Sequence, residues 1–295
     1  MISTRSRAGT LLGGAAGAAV GWGWFEAGWV RLRPLDVPLA RLPSELAGLR
    51  IAHLSDFHLG LPSRGTHAVE RAVEWVTSRS PELVVITGDL VSRPRGEPSL
   101  REVIERLGRS FVVLGNHDVE HSRDPFSRAA GFDDLAPARL LVDEGETIEL
   151  RGHRVQLVGV DPRAYRQGTS RPWELVDESA ELRILLCHFP YVLDFLPAGA
   201  FDLVLAGHMH DGQISLPLGR ERKYRFAHPR TRYTAGLYER PGGAMHVSPG
   251  LGTTFVPFRF FARPEATELV LRRPNSGISS SDLGGEDQPG RSDGS

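Results

Sequence analysis

The stretch LRIAHLSDFH, residues Leu49–His58, decides the fold class of this chain. Its first six residues, Leu49–Leu54, form a mostly apolar run with the length of a buried β-strand. Two side chains that commonly bind metals, Asp56 and His58, follow directly. In open α/β sheets the ligand site lies beyond the carboxyl ends of the strands. The stretch therefore predicts a buried strand that delivers functional side chains to one edge of a sheet.

The same arrangement recurs farther along the chain. Each time a short apolar run is followed by Asp, Asn or His, and glycines beside several of these groups allow a ligand to approach the backbone closely. The further runs are Leu83–Thr87 with Gly88-Asp89, Phe111–Leu114 with Gly115-Asn116-His117-Asp118, Leu182–Cys187 with His188, and Leu203–Ala206 with Gly207-His208-Met209-His210. A single Asp or His at a strand end is usually a turn residue, whereas a series of such groups favours one shared site.

Helical periodicity separates the first three apolar runs. His67–Ser78 and Leu100–Leu107 each place their apolar residues on one helical face. The resulting β-α-β-α-β order implies a parallel sheet with right-handed crossovers. After about residue 138 the runs lie closer together and turn signals such as Glu144-Gly145 separate them, which predicts hairpins and a second sheet. We therefore expect an α/β fold with two packed mixed β-sheets flanked by helices.

The donor atoms in these motifs are carboxylates, an amide oxygen and imidazoles, without a thiolate. This combination suits hard to borderline divalent cations, and Mn, Fe and Zn all fit it. Because the imidazole ligands must be neutral, we expect metal affinity and activity to fall below about pH 6.

The motifs Asp56-x-His58, Gly88-Asp89, Gly115–Asp118, His188 and Gly207-His208-x-His210, in this order, resemble the calcineurin-like metallophosphoesterase superfamily. The resemblance spans Leu49 to Glu268. It is strongest to a bacterial membrane-associated branch, which includes enzymes that act on UDP-2,3-diacylglucosamine, and the stretches 207–214 and 248–252 are also similar to that branch. Met209 departs from the pattern, in which a small residue is commoner, but it supplies no required ligand.

The resemblance implies an α/β/β/α sandwich that holds two divalent metal ions. Carried over by motif, one metal would be held by Asp56, His58 and His210, and the other by Asn116, His188 and His208, with Asp89 bridging them. A carboxylate is suited to bridge because its two oxygens can each bind one cation. The pair of metals would activate a hydroxide that attacks a phosphodiester or pyrophosphate bond.

The same resemblance assigns a catalytic role to His117. In similar enzymes this histidine points at the substrate and donates a proton to the leaving oxygen or stabilises its charge. We expect Asp118 to orient His117 by a hydrogen bond and to raise its pKa.

Composition excludes several other classes of protein. The chain has 295 residues and a net charge of −1, so it lacks the basic surplus of a protein that binds long nucleic acid. Its one cysteine, Cys187, excludes an intramolecular disulfide framework and a Cys-rich zinc site. No feature predicts an obligate protein partner.

The two ends differ from the middle. Residues 1–30 contain Arg5 and Arg7 followed by an uncharged Gly/Ala-rich stretch, Ala8–Phe25, which fits a membrane anchor, a cleaved signal or a soluble N-terminal helix. We expect membrane association through this segment, on an undetermined side. Residues 31–273 form the predicted metallophosphoesterase domain, and residues 274–295 have the composition of a disordered tail.

The substrate class is the least determined feature. The predicted membrane segment favours a lipid-linked substrate, such as UDP-2,3-diacylglucosamine or a phospholipid. Arg220, Arg222 and His228 are the candidate substrate-binding residues, since they follow the last metal motif and arginines bind phosphate well. Two alternatives stay open: a broad-specificity envelope phosphatase or phosphodiesterase without lipid preference, and a metal-free protein-binding scaffold of the same fold.

Overall fold

The computed structural model describes residues 4–119, 122–128, 131–132, 134–219, 223–227, 229–240 and 243–274, and for residues 4–12 it describes the backbone alone. Two six-stranded sheets form the body of the protein. The first has the strand order β1-β14-β2-β3-β4-β5. Its strands are β1 (Arg31–Pro38), β2 (Arg50–Leu54), β3 (Leu83–Thr87), β4 (Phe111–Val113), β5 (Arg139–Leu140) and β14 (Glu265–Arg272).

Strands β2 to β5 of this sheet run parallel, and β14 pairs antiparallel with β2 and parallel with β1. The crossovers are helices α2 (Gly65–Arg79), between β2 and β3, and α3 (Glu97–Leu107), between β3 and β4. These are the two helices that the apolar periodicity predicted. Each helix is followed by a residue with a positive φ, Ser80 after α2 and Gly108 after α3, and there the chain turns back into the sheet.

The second sheet has the order β12-β13-β9-β8-β7-β6. Its central strands run parallel, whereas β12 and β6 pair antiparallel at the two edges and form hairpins, as the sequence predicted for the part after residue 138. The predicted turn at Glu144-Gly145 is wrong, because both residues pair with β7 as the first residues of β6. The strands are β6 (Glu144–Leu150), β7 (His153–Gly159), β8 (Leu182–Leu186), β9 (Leu203–Ala206), β12 (Gly236–Arg240) and β13 (Gly243–Val247). Outside both sheets lies a short hairpin of β10 (Ser215–Pro217) and β11 (Lys223–Arg225).

The two sheets face each other across a continuous apolar core. Val85 and Phe111 of the first sheet pack in one cluster with Val155, Ile184 and Leu205 of the second, all fully or almost fully buried. Burying one such side chain contributes roughly 1.5–3 kcal/mol. This contact makes the sheets one unit and fixes the relative position of their strand ends.

Two outer layers complete the sandwich. Helices α2 and α3 cover the first sheet through residues such as Val76 and Ile104. The outer face of the second sheet is covered by the short helix α4 (Pro162–Gln167) and by 3-10 turns, with Val192 packed in its cluster. The predicted α/β fold with two packed mixed sheets and flanking helices is confirmed.

The last turn of the N-terminal helix α1 (Thr4–Glu26) contacts the body. Residues 13–22 are exposed, whereas Gly23 lies against Phe258 and Phe260, and the buried carboxylate of Glu26 accepts a hydrogen bond from the backbone of Ala262 (2.8 Å). Among the residues that the structure describes, no helix combines the length and the hydropathy that crossing a bilayer requires. The division at residues 30 and 273 stays a prediction, and the predicted tail lies outside the described residues apart from Pro274.

Candidate metal centre

Loops that follow the parallel strands of both sheets converge at one edge of the sandwich. Loops after β2, β3 and β4 come from the first sheet, and loops after β8 and β9 come from the second. They bring most of the predicted site residues together, and of these only His208 keeps partial exposure. The residues are Asp56, His58, Asp89, Asn116, His117, His188, His208 and His210.

The backbone of this edge is strained where the side chains turn into the site. Five of the residues have positive φ values: Asp56 (53°), His58 (47°), Asp89 (53°), His208 (75°) and His210 (51°). The left-handed region is unfavourable for residues with a Cβ, and such strain concentrates at functional sites because the surrounding fold must hold it in place.

The first group of candidate ligands consists of Asp56, His58 and His210, whose ligand atoms all lie within 4.8 Å of one another. His210 Nε2 lies 3.3 Å from Asp56 Oδ1, and the Nε2 atoms of His58 and His210 are 3.0 Å apart. Two ring nitrogens that face each other beside a carboxylate can both turn lone pairs toward one shared cation. The first group therefore has the geometry of a metal site.

The second group consists of Asp89, His188 and His208. His188 Nε2 lies 3.3 Å from Asp89 Oδ2 and 3.1 Å from His208 Nδ1. The other ring nitrogen, His188 Nδ1, lies 2.8 Å from the Thr87 carbonyl oxygen, which can only accept, so Nδ1 carries a proton and Nε2 faces the site. Asp89 Oδ2 is also 3.6 Å from His58 Nε2, so its carboxylate lies between the two groups.

Asn116 gives an independent test of whether this site fits a metal. Its Oδ1 atom is buried and has no hydrogen-bond partner in the structure. Asn116 lines the same cavity as Asp89 and His208. A buried amide oxygen without a partner costs roughly 1–3 kcal/mol, and a cation bound beside it would remove that cost. The residues present therefore fit divalent metal ions.

Burial and mutual charge set the protonation of the site. Burial disfavours the charged form of His188, but the adjacent Asp89 carboxylate outweighs it and raises the pKa of His188 to about 9. Burial, together with the neighbouring His188, lowers the pKa of His208 to about 3. The histidines next to Asp89 hold the pKa of that carboxyl well below its usual range despite burial. In the metal-free protein the second group thus keeps its carboxylate ionised and one imidazole charged.

His117 lies at the rim of the ligand groups, with its ring 4.6 Å from that of His58. Its Nδ1 atom is 2.7 Å from Ser127 Oγ, and its Nε2 atom is 3.0 Å from Ser122 Oγ and 3.9 Å from Asp89 Oδ2. The serine hydroxyls therefore orient the imidazole.

The expectation that Asp118 orients His117 is corrected by these contacts. The carboxylate of Asp118 accepts hydrogen bonds from the backbone N–H groups of Gly115 (2.8 Å), Leu90 (2.9 Å) and Val91 (3.3 Å) instead of facing the ring. Burial and the nearby Asp89 raise the pKa of Asp118 to about 7. Asp118 thus ties the loop after β4 to the loop after β3, because adjacency in sequence does not fix the direction of a side chain.

Arg259 is a residue of the site that sequence reasoning missed. Its guanidinium is fully buried, donates to the carbonyl oxygens of Pro249 and Gly252, and places Nη2 at 3.0 Å from His210 Nδ1. Burial lowers the pKa of Arg259 to about 10. No sequence signal marks this arginine, since its carbonyl partners lie in its own irregular loop and its contact with His210 forms only in the folded chain.

A cavity of about 590 Å³ opens above the ligand groups. Its polar lining includes Asp89, Asn116, His117 and two cations, Arg123 and Arg166. Its apolar lining is formed by Met209, Ile214, Phe226, Phe255 and Val256. Arg220, Arg222 and His228, the predicted substrate-binding residues, lie outside the described residues.

Comparison with known proteins places these motifs in a family. A model of calcineurin-like phosphoesterase matches residues 49–212. The chain is 32% identical over 261 residues to a protein of Danio rerio named transmembrane protein with metallophosphoesterase domain, an alignment that covers 81% of this chain and 56% of that relative. It is 26% identical over 292 residues to the uncharacterized metallophosphoesterase YkuE of Bacillus subtilis, which covers 90% of this chain and 95% of the relative.

Solved structures of low sequence identity are also similar. An archaeal phosphodiesterase is 14% identical with a TM-score of 0.32, and the alignment covers 68% of this chain and 83% of that one. The phosphoesterase Yfce from E. coli is 16% identical with a TM-score of 0.30, covering 68% and 80%. The chain spans little more than half the length of the Danio rerio relative. The family model matches more than half of the chain, which shows that the chain belongs to the calcineurin-like phosphoesterase family.

Proposed function

We propose that this protein hydrolyses a phosphodiester or pyrophosphate bond with the help of two divalent metal ions. Asp56, His58 and His210 would hold one ion. Asn116, His188 and His208 would hold the other, and Asp89 would contact both. The observation that carries the proposal is the position of Asp89 Oδ2, 3.3 Å from His188 Nε2 of the second group and 3.6 Å from His58 Nε2 of the first. The unpartnered Asn116 Oδ1 supports it.

When bound, such ions supply Lewis acidity that activates water and stabilises the charge developing on phosphoryl oxygens. The protein's own contribution begins with orientation. The Thr87 carbonyl holds the His188 ring and Ser92 Oγ lies 2.9 Å from His58 Nδ1, so both rings keep Nε2 directed at the site. Preorganised groups of this kind need no rearrangement as the reaction proceeds.

His117 is the proposed proton donor to the leaving oxygen. Its Nε2 atom faces the cavity beside Ser122 and lies 3.5 Å from Thr254 Oγ1, while Ser127 holds the opposite nitrogen. A positioned acid of this kind typically accelerates a reaction by 10² to 10⁴-fold. Arg123 and Arg166 line the same cavity and would bind the phosphate oxygens of the substrate.

The apolar lining of the cavity supports a lipid-linked substrate, such as UDP-2,3-diacylglucosamine or a phospholipid. Met209, Ile214 and Phe226 offer contacts to acyl chains beside the candidate metal ligands. We also propose that residues 1–30 associate the protein with a membrane, for which the name of the Danio rerio relative gives support.

Hydrolysis of two model esters tests the proposal. The full chain is loaded with manganese, iron or zinc and assayed on bis-p-nitrophenyl phosphate and p-nitrophenyl phosphate, with and without a chelator. We expect diester cleavage that the chelator abolishes and that Asp89→Asn lowers by at least two orders of magnitude. Asp36→Asn, the same change at an exposed residue paired with Arg272, is the matched control and keeps full activity. A chain that binds no metal and cleaves neither ester would instead be a scaffold.

A further inference from the structure

The large apolar side chains that remain exposed are concentrated near the mouth of the metal cavity. Among the described residues, all of these exposed side chains except Phe126, Leu175 and Phe195 lie on three segments of the chain. We call these segments together the aromatic rim. It consists of the end of α1 with Val20, Trp22, Trp24, Phe25 and Trp29, the hairpin β10–β11 with Leu216, Leu218, Tyr224 and Phe226, and the loop that contains Phe255, Val256 and Phe261.

Direct contacts join the three segments into one surface. The backbone of Ser215 in the hairpin donates to the Phe260 carbonyl at 2.9 Å, and the backbone of Arg259 in the loop donates to the Gly23 carbonyl of α1 at 3.1 Å. The guanidinium of Arg263 lies 3.7 Å above the ring of Trp29. Phe226, Phe255 and Val256 also line the metal cavity, so the aromatic rim borders its mouth.

The charged side chains exposed on the aromatic rim are cationic. Within residues 13–34, 212–219, 223–227 and 253–264, which the structure describes, Glu26 is the only carboxylate, and it is buried. The same segments carry Arg31, Arg33, Arg263, Lys223 and Arg225. Of these, Lys223 and Arg225 pair with the buried Asp211, and Arg31 pairs with the buried Glu265. A surface that combines exposed aromatic groups with cations, and presents no exposed carboxylate, is complementary to a layer of anionic headgroups.

The composition of the rim favours a lipid surface over a protein partner. Trp22, Trp24 and Trp29 are 40–45% exposed, and tryptophan prefers the membrane–water interface because its ring is apolar and its N–H is polar. The exposed residues 13–22 of α1 carry no charge and have no contact with the body that would bury them.

We propose that the aromatic rim docks on the surface of an anionic bilayer, so that the metal cavity opens against the lipid headgroups. The docking involves the hairpin and the 255–261 loop as well as the N-terminal helix, and thus goes beyond an anchor. Its consequence for catalysis, access to the phosphate of a membrane lipid, rests on the proposed function. The docking itself does not.

Site-specific fluorescent labels test which parts of the surface meet lipid. The native thiol of Cys187 is buried, and burial raises its pKa to about 12, so cysteines introduced by Leu218→Cys and Phe255→Cys can be labelled selectively. Phe195→Cys places the same label at an exposed apolar residue outside the rim. Each labelled full chain is mixed with phosphatidylcholine vesicles with or without phosphatidylglycerol, and with matched vesicles of brominated acyl chains.

We expect the labels at residues 218 and 255 to shift to shorter wavelength and to be quenched by brominated lipid, more strongly with phosphatidylglycerol, while the label at 195 stays unchanged. Absence of vesicle binding would overturn the proposal. So would binding in which residues 218 and 255 respond no more than residue 195, because α1 alone would then meet the lipid. A concentration-dependent response without vesicles would also overturn it and would assign the rim to a second copy of the chain.

Paired substitutions measure the contribution of the rim. Leu218→Ser with Phe261→Ser should weaken vesicle partitioning by about tenfold or more, since binding strength scales with inserted apolar area. Leu175→Ser with Phe195→Ser, which removes equally exposed side chains elsewhere, should leave it within about twofold. Equal effects of the two pairs would refute the proposal. Asp89→Asn should bind vesicles as the unmodified chain does, so failure of docking and failure of the proposed hydrolysis are distinguished.

Discussion

Nδ1 of His210 lies 3.0 Å from Nη2 of Arg259, and no solvent reaches the guanidinium. A guanidinium has only N–H donors, so this ring nitrogen acts as an acceptor, and in the neutral ring Nε2 carries the proton and faces Asp56. A cation that binds Nε2 would have to displace this proton. The same guanidinium donates to several loop carbonyls. Arg259 therefore joins the orientation of one candidate ligand to the conformation of the loop 249–262.

Substitution of Arg259 tests this link. Arg259→Lys keeps the charge but cannot reach all of these acceptors, so we expect metal affinity to fall by 10- to 100-fold, as for other groups that support a ligand. The free energy of unfolding should fall by about 1–3 kcal/mol for the carbonyls left without a donor. Isothermal titration with Mn²⁺ and chemical denaturation measure the two effects. Arg272→Lys, at an exposed arginine paired with Asp36, is the control. Unchanged metal affinity in Arg259→Lys would refute the positioning role.

The variant Asn116→Leu tests whether the amide of Asn116 serves metal binding or the stability of the fold. The substitution keeps the number and branching of the side-chain heavy atoms and removes a buried oxygen that has no hydrogen-bond partner. In the presence of a chelator we expect the variant to be as stable as the unmodified chain or more stable by about 1 kcal/mol. Added Mn²⁺ should raise the Tm of the unmodified chain and raise that of the variant much less. A loss of stability in chelator together with an unchanged metal effect would mean that the amide serves the fold rather than a metal.

Metal binding should release protons. The pKa of His188 is raised to about 9 in the metal-free protein, so at neutral pH its ring is protonated and paired with Asp89. A cation that binds Nε2 must displace this proton, and affinity should rise about tenfold per pH unit until pH approaches 9. Conversely, affinity is lost as pH falls. Titrations in buffers of different ionisation enthalpy count the protons.

The matched controls for this titration are two histidine substitutions. His188→Asn should release about one proton fewer per chain than the unmodified protein. His153→Asn changes a histidine that pairs with Glu181 outside the site and should release the same number. An affinity that does not vary between pH 6 and pH 9 would contradict the assignment of His188 as a ligand.

His117→Gln should reduce turnover by about 10² to 10⁴-fold because the proton donor is lost. Metal content should stay unchanged, since the ring lies beside the two ligand groups and is held by Ser127. Elemental analysis and steady-state kinetics on the diester separate the two effects. Ser127→Ala, which removes only the orienting hydroxyl, should lower kcat less and leave KM nearly unchanged. Loss of metal in His117→Gln would make this residue a ligand instead.

The sequence predicted best those strands that are marked by an apolar pattern within one short stretch of the chain. The strands β2, β3, β4, β8 and β9 were predictable because each lies in a mostly apolar run. Strand β14 was not, since it carries Glu265 and Glu268. Both carboxylates are buried, and they are paired with Arg31 in the first case and with Arg79 in the second. Such pairing joins residues far apart in sequence, and no local pattern reports it.

In the candidate site, too, some residues and contacts could be predicted from the sequence and others could not. Motif order pointed to the residues that the structure brings together, because the strand ends position them. It gave the wrong partner for His117, where Ser127 and Ser122 take the place expected for Asp118. It also missed Arg259, which contacts His210 from the irregular loop 249–262 only in the complete fold.

The number of metal ions bound per chain tests the central claim most directly. The full chain is loaded with Mn²⁺, freed of excess metal and measured by elemental analysis beside Asp89→Asn and Asp36→Asn. Two ions per chain, reduced in Asp89→Asn and retained in Asp36→Asn, are the result that the proposed binuclear site predicts. One ion or none, with manganese, iron and zinc alike, would contradict it.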